Sequence, residues 1–392
     1  MEINLYLEPL DFTISDIDFP DKRERLGHKI SAYTKKNAFP DLENIDLAII
    51  GVKEDRYSIN NFGCDKAPDI VRKKLYQLFP CNNHCKIADL GNIVKGNKVE
   101  DTYFALIEVL AFLIKRNIIP IIIGGSQDLS FANYRAYEKI GQIINIASID
   151  SRFDLGDTDS EISSQSYLSK IILHQPNFLF NFTNIGYQSY FVDIEAIDLM
   201  NKLYFDVYRL GVIKKEMEYV EPLLRNADMV SVDISSVRQP DAPGNRNVSP
   251  NGFNGEEICQ ITRYAGLSDK ISSIGFYEIN PEMDNNDQTS HLAAQMIWYF
   301  IEGFYNRKHD FPYKEKKSYK KYYVSIKDNT HEIIFYKSKK SDRWWMEVPC
   351  PSSELKAKYE RHYLVPCSYS DYQKALEDDV PERWWQVYKK MM

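Results

Sequence analysis

Ile143-Ile144-Asn145-Ile146-Ala147-Ser148-Ile149, followed at once by Asp150-Ser151-Arg152-Phe153-Asp154, decides the fold. The near-continuous apolar run reads as a strand buried on both faces, as in a parallel sheet. Polar residues set in directly behind Ile149, so two carboxylates and a guanidinium stand at that strand's carboxyl end. Two further stretches repeat the arrangement. Ile118-Ile119-Pro120-Ile121-Ile122-Ile123 runs into Gly124-Gly125-Ser126-Gln127-Asp128, and Met229-Val230-Ser231-Val232-Asp233 runs into Ile234-Ser235 and then Asp241-Ala242-Pro243-Gly244. Open parallel sheets bind ligands at the carboxyl ends of their strands, so the three polar stretches are expected to converge.

Outward from these, Ile45–Ile50, stopped by Gly51, and Ile271–Phe276 read as strands, and Tyr103–Lys115 and Gly255–Leu267 as helices. Strand–helix alternation implies right-handed crossovers. The predicted fold is α/β: a three-layer α/β/α domain over residues 1–310 with a mostly parallel, doubly wound sheet. Residues 311–392 differ in character. They carry four of the five tryptophans, twelve phenylalanines and tyrosines, and 17 lysines and arginines against 12 acids. Tyr322–Ile326 and Glu332–Tyr336, joined through Asp328-Asn329-Thr330, predict a hairpin. Trp344–Val348 adds a third strand, and a helix starts near Ser370 as its cap. This is a β-rich C-terminal extension. Its aromatics read as packing, a lid or flank on the main domain, or else as a surface for a protein partner. The words Asp342-Arg343-Trp344-Trp345 and Glu382-Arg383-Trp384-Trp385 hint at a repeat.

A net charge of −7 argues against a generic nucleic-acid binder, which needs a basic face. No apolar run approaches the ~20 residues of a membrane span. No signal peptide follows Met1, and six scattered cysteines read as reduced thiols, so the expected location is cytoplasmic. Cys81-Asn82-Asn83-His84-Cys85 has no second Cys/His pair at zinc-site spacing and reads as a loop.

The three polar stretches, with Phe62-Gly63-Cys64-Asp65-Lys66-Ala67-Pro68-Asp69-Ile70-Val71-Arg72 before them and Tyr277-Glu278-Ile279-Asn280-Pro281 after, resemble the ureohydrolase superfamily, which includes arginase, agmatinase and formimidoylglutamase. The resemblance covers residues 45–305. It implies a site where two Mn²⁺ ions hold a bridging hydroxide that attacks a guanidinium or formimino carbon. The family's ligands are His in the Gly-Gly-x-His word, Asp, His and Asp in Asp-x-His-x-Asp, and two Asp in Asp-x-Asp. Position by position this chain has Gln127, then Asp150, Arg152 and Asp154, then Asp233 and Ser235. Three of the six are changed.

One ion would keep Asp150, Asp154 and Asp233 with the Gln127 amide, acceptable hard ligands for Mg²⁺, Mn²⁺ or Ca²⁺. The other loses both of its own ligands. Arg152 is expected to replace that second ion by pairing with Asp150 or Asp233, leaving −2 for one divalent ion, or raised carboxyl pKa values without it. Glu278 matches the family glutamate facing the cationic substrate group, or else caps the Arg152 cluster. No helper histidine stands near Ser166-Tyr167-Leu168, and His174 lies too far along. The resemblance therefore implies an inactive scaffold or binding protein, with no cofactor or a single cation. Its alternative is a formimidoylglutamase- or agmatinase-type C–N hydrolase with an unorthodox or single-metal site. An oligomer is compatible with either.

Overall fold

The structure, a computed structural model, describes residues 3–19, 21–81, 84–157, 160–312, 318–326 and 331–392. Ten strands form one sheet: β1 (Leu7–Glu8), β2 (Ser31–Ala32), β3 (Leu47–Gly51), β4 (Ile87–Ile93), β5 (Ile119–Ile123), β6 (Ile144–Ile149), β7 (Leu179–Tyr187), β8 (Asp206–Arg209), β9 (Met229–Asp233) and β10 (Ser273–Tyr277). Their order is β1-β4-β3-β5-β10-β9-β6-β7-β8, with β2 beside β4. Only β1 runs antiparallel to its neighbour.

Apolar residues alternate between two cores. Ile49, Ile121, Ile149 and Val230 face helices Ala67–Tyr76, Gly255–Leu267 and Gln288–Tyr305. Ile50, Ile122, Ile146 and Met229 face Val99–Lys115, Leu129–Ile140 and Tyr167–Leu173. Two covered faces explain why the predicted strands read as continuous apolar runs. Those strands begin and end within two residues of the expected positions.

β4 and β7 escape the sequence pattern because they carry polar groups into the interior. In β4 the reason is Arg72, which is wholly buried. It donates to Asp89 at 2.8 Å, to Asn92 at 2.7 Å and to the Gly91 carbonyl at 2.7 Å. A buried guanidinium needs such partners, and they break the hydrophobic signal. In β7, Asn181 donates to Asp206 at 2.7 Å and Asn184 to the Arg152 carbonyl at 2.7 Å.

The extension forms a second, antiparallel sheet, β11 (Tyr319–Ile326), β12 (His331–Ser338), β13 (Trp344–Glu347) and β14 (Leu364–Cys367), paired in that order. The connection Asp328-Asn329-Thr330 lies outside the described residues, as do Asn82 and Asn83 of the Cys81–Cys85 loop. The predicted helix starts earlier than expected. Ser368, not Ser370, caps Tyr369–Leu376, because its hydroxyl accepts from Asp371 N at 3.1 Å while the Asp371 carboxylate takes the Ser368 N–H at 2.7 Å. The similar words are no structural repeat: one enters β13, the other opens helix Glu382–Met391.

Trp344, Trp345 and Trp384 are buried. Arg225 donates to the Trp344 carbonyl at 2.9 Å and the Cys367 carbonyl at 3.2 Å, and its guanidinium lies 4.4 Å from the Trp345 ring. Arg361 pairs with Asp228 at 2.6 Å, and His362 stacks on Phe180 at 4.4 Å. His362 Nε2 also lies 3.2 Å from the Ile143 carbonyl. Asp228 and Ile143 precede β9 and β6, so the extension flanks the amino-terminal edge of the sheet. It is a flank rather than a lid on the converging strand ends. Among the described residues no helix is long and apolar enough to cross a membrane.

Arg225→Met removes the guanidinium donor to the carbonyls of Trp344 and Cys367 and leaves Glu221 without that partner. We expect a loss of about 2–4 kcal/mol, read from urea unfolding. An unchanged urea midpoint would contradict this account of the seam.

Candidate functional site

Four adjacent strands, β5, β10, β9 and β6, lead at their carboxyl ends into Gly124, Glu278, Asp233 and Asp150, with Asp233 the last residue of β9 and the others one residue past their strands. Because β9 and β10 sit between β5 and β6, the chain reverses its direction of winding there. That is where an open sheet leaves a crevice. The Gly-Gly turn after β5 runs tight against the loop after β3. Gly125 N donates to Val52 O and Ser126 N to Glu54 O, both at 3.0 Å. A Cβ on Gly125 would fall 1.8 Å from Glu54 O, so only glycine fits there.

That turn aims Gln127 into the crevice, where its N–H donates to Glu278 Oε1 at 2.9 Å. Glu278 Oε2 accepts from Asn61 at 2.8 Å, and Asn245 donates to the Glu278 carbonyl at 2.7 Å. Ser58 Oγ adds a longer contact to Glu278 Oε2 at 3.4 Å. Sequence reading misses Asn61, Asn245 and Ser58; the short polar run Asn60-Asn61 is the available sign. Glu278 therefore caps the Gln127 turn, not Arg152. Glu278 (φ 65°) and Asp154 (φ 53°) both adopt left-handed backbone, which is costly for side-chain-bearing residues and concentrates at functional sites.

Asp150, Asp154, Asp233, Gln127 and Glu278 are all buried. Asp150 Oδ1 accepts Arg152 N at 2.8 Å and Asp233 Oδ1 accepts Ser235 N at 2.6 Å. Burial is the largest influence on every acid here, and it raises each pKa. Asp154 is driven well up by burial and then by Asp150 and Asp233; Asp233 likewise by burial, Asp150 and Glu278. Asp150 is raised too, and Glu278 is pushed up to about 7. Among the described residues no N–H or O–H donor from another group reaches Gln127 Oε1, Asp150 Oδ2 or Asp154 Oδ2. Nor do three His, Cys, Asp or Glu side chains there form a metal-holding group. Two carboxylate oxygens and one amide oxygen are the buried acceptors left over.

Arg152 departs from expectation. Its backbone joins the cluster, but its guanidinium lies 4.3 Å from the Phe191 ring centroid and makes no ion pair among the described residues. Arg152 is only half-buried, and a cation–π contact at a wet rim costs less desolvation than a guanidinium sunk beside the carboxylates. Ser235 Oγ lies 3.5 Å from Ser151 Oγ. His174 stands 3.1 Å from Glu138, not in the cluster. Tyr167 does belong to it: its hydroxyl is 3.4 Å from Gln127 Nε2 and 3.3 Å from Ser148 Oγ. Burial, then Asp154 and Asp150, drive its pKa well up.

The raised carboxyl pKa values fix a sign. Above about pH 4, where unfolded carboxyls lose their protons, the folded chain holds protons that the unfolded chain has released. This group's contribution to stability therefore falls as pH rises through the raised folded values. Asp154→Asn removes part of the repulsion. In chelator-containing buffer it should stabilise the fold at pH 8 by about 1–2 kcal/mol, and less at pH 5. Urea midpoints at the two pH values check this, and a destabilised variant at pH 8 would contradict it.

The arginase family model matches residues 45–302. Formimidoylglutamase of Staphylococcus haemolyticus is 26% identical over 282 residues, covering 67% of this chain and 90% of that protein. Formimidoylglutamase from Bacillus subtilis superposes with a TM-score of 0.65 at 17% identity, over 76% of this chain and 97% of the other. Trypanosoma cruzi formiminoglutamase with Mn²⁺ gives 0.63 at 20% identity, over 76% and 100%. The crevice thus lies in a fold these enzymes share, and the chain belongs to the arginase family.

Proposed function

We propose that this chain is a catalytically inactive, formimidoylglutamase-like member of the arginase family, acting as a binding or scaffold protein through the crevice. The observation that carries this reading is the pair of positions that would serve a second ion. Arg152 turns out onto Phe191, and Ser235 offers a hydroxyl where a carboxylate is expected. Arg152 forms no ion pair with the cluster, though its charge still acts on Asp150, so the main obstacle to a second ion is missing donors: neither side chain supplies an imidazole or an anion.

Asp150, Asp154 and Asp233 do not come together as the expected three-carboxylate group, and what supports a single-cation reading is the chemistry of the donors beside them. Gln127 Oε1, Asp150 Oδ2 and Asp154 Oδ2 are buried acceptors with no donor from another group among the described residues, and hard oxygen donors of this kind suit Mg²⁺, Mn²⁺ or Ca²⁺. Bound there, such an ion would neutralise the buried carboxylates. It would lack the partner needed to bridge and aim a hydroxide. Tyr167, held by Gln127 and Ser148, stands in the cluster with a raised pKa, so it offers a hydrogen bond but no general base near neutrality. The tail's buried tryptophans are committed to their own core and to the seam, which favours packing over a partner surface for those indoles.

We expect purified protein with added Mn²⁺ to release urea, formamide or ammonia from formimino and guanidino substrates far more slowly than about 1 s⁻¹, an ordinary enzymatic rate. Turnover at that rate, abolished by Asp233→Ala, would instead establish a C–N hydrolase with a single-metal site. In the same assay series, Arg152→His with Ser235→Asp should increase the Mn²⁺ retained per chain; no gain would contradict the ligand map.

A further inference from the structure

Beside the acidic crevice lies a cavity of opposite character. It opens at the carboxyl ends of β7 and β8, where Tyr187 and Arg209 are partners across the two strands. Its volume, about 410 Å³, falls in the range of roughly 300–1,000 Å³ usual for small-molecule sites. Arg209, Lys214 and Arg238 line it, and among the described residues no carboxylate does. Lys214 and Arg238 are held from behind by Glu257 at 2.9 Å and Asp241 at 3.1 Å, neither of which lines the cavity. The Arg209 side chain is exposed and makes no ion pair or hydrogen bond among the described residues, while its backbone stays in the β7–β8 ladder.

The neutral part of the wall is already fixed. Gln188, which is buried, donates to the Asn251 carbonyl at 3.1 Å and accepts from the Tyr190 hydroxyl. Asn251 Nδ2 in turn reaches that hydroxyl at 3.3 Å. Gln188 N also donates to Ser151 O at 3.0 Å, which ties this wall to the loop bearing Asp150. A polar wall that is ordered beforehand lowers the cost of ordering on binding.

We propose that this cavity is a binding site for a small oxyanion, a carboxylate or a phosphate, with Arg209 as its anchor. An unpaired guanidinium presents a planar fork of donors that matches either group bidentately. Lys214 and Arg238, partly neutralised by Glu257 and Asp241, add field without closing over the ligand. The assignment does not depend on whether the neighbouring crevice is catalytic.

The test is calorimetric titration of the full chain with succinate and, separately, inorganic phosphate at constant ionic strength. Wild type, Arg209→Glu and Asp154→Asn are compared, and urea unfolding establishes that each variant is folded. Arg209→Gln serves if the charge reversal disturbs the fold. Saturable binding of one anion per chain is expected. The dissociation constant should rise about tenfold to a hundredfold in Arg209→Glu, the loss of a charge-assisted hydrogen bond, and stay unchanged in Asp154→Asn. The two arms show whether the site takes a carboxylate or a phosphate. Absence of saturable binding with both anions, or binding undiminished in the Arg209 variants, would overturn the proposal. So would binding that tightens in Asp154→Asn while the Arg209 variants leave it unchanged, which would place the anion in the crevice.

Discussion

The burial of four carboxyl groups at one point of the sheet is the constraint on which the rest of this molecule turns. Asp150, Asp154, Asp233 and Glu278 are buried at one crevice, and burial raises the pKa of each. Charge of one sign cannot be concentrated this way without compensation by protons, hydrogen bonds or a cation. The surrounding loops provide part of it. Asn61, the Gln127 N–H and the Ser235 N–H each serve one carboxylate. What they leave over in this cluster, among the described residues, is two carboxylate oxygens and an amide oxygen with no hydrogen-bond partner.

Strand order creates that concentration. Inserting β9 and β10 between β5 and β6 gathers four chain segments that are far apart in sequence at neighbouring carboxyl ends. The left-handed backbone at Asp154 and Glu278 and the Gly124-Gly125 turn are the local adjustments that point their side chains inward. The second sheet takes no part in this. It fastens to the opposite edge through Arg225, Arg361 and His362 and leaves the crevice uncovered by its aromatics.

Much of this was legible from the sequence, for a physical reason. Strands buried on both faces are apolar throughout, so β5, β6 and β9 announce themselves and the acids behind them mark their carboxyl ends. β4 and β7 were silent because interior polar networks, Arg72 with Asp89 and Asn181 with Asp206, erase that pattern. Side-chain direction was not legible. Nothing in Asp150-Ser151-Arg152 says that the guanidinium turns to Phe191, because that aromatic arrives from another strand's loop. Tyr167 and Asn61 were missed for the same reason: their roles come from tertiary placement, not from local pattern.

The relatives' two-ion chemistry needs ligands that this chain replaces with an outward-turned arginine and a serine, so the central claim is that no bridged metal pair forms. Electron paramagnetic resonance of the Mn²⁺-saturated protein tests it most directly. The account predicts only the spectrum of isolated Mn²⁺, with at most one tightly held ion per chain. An exchange-coupled spectrum from two bridged ions would contradict it.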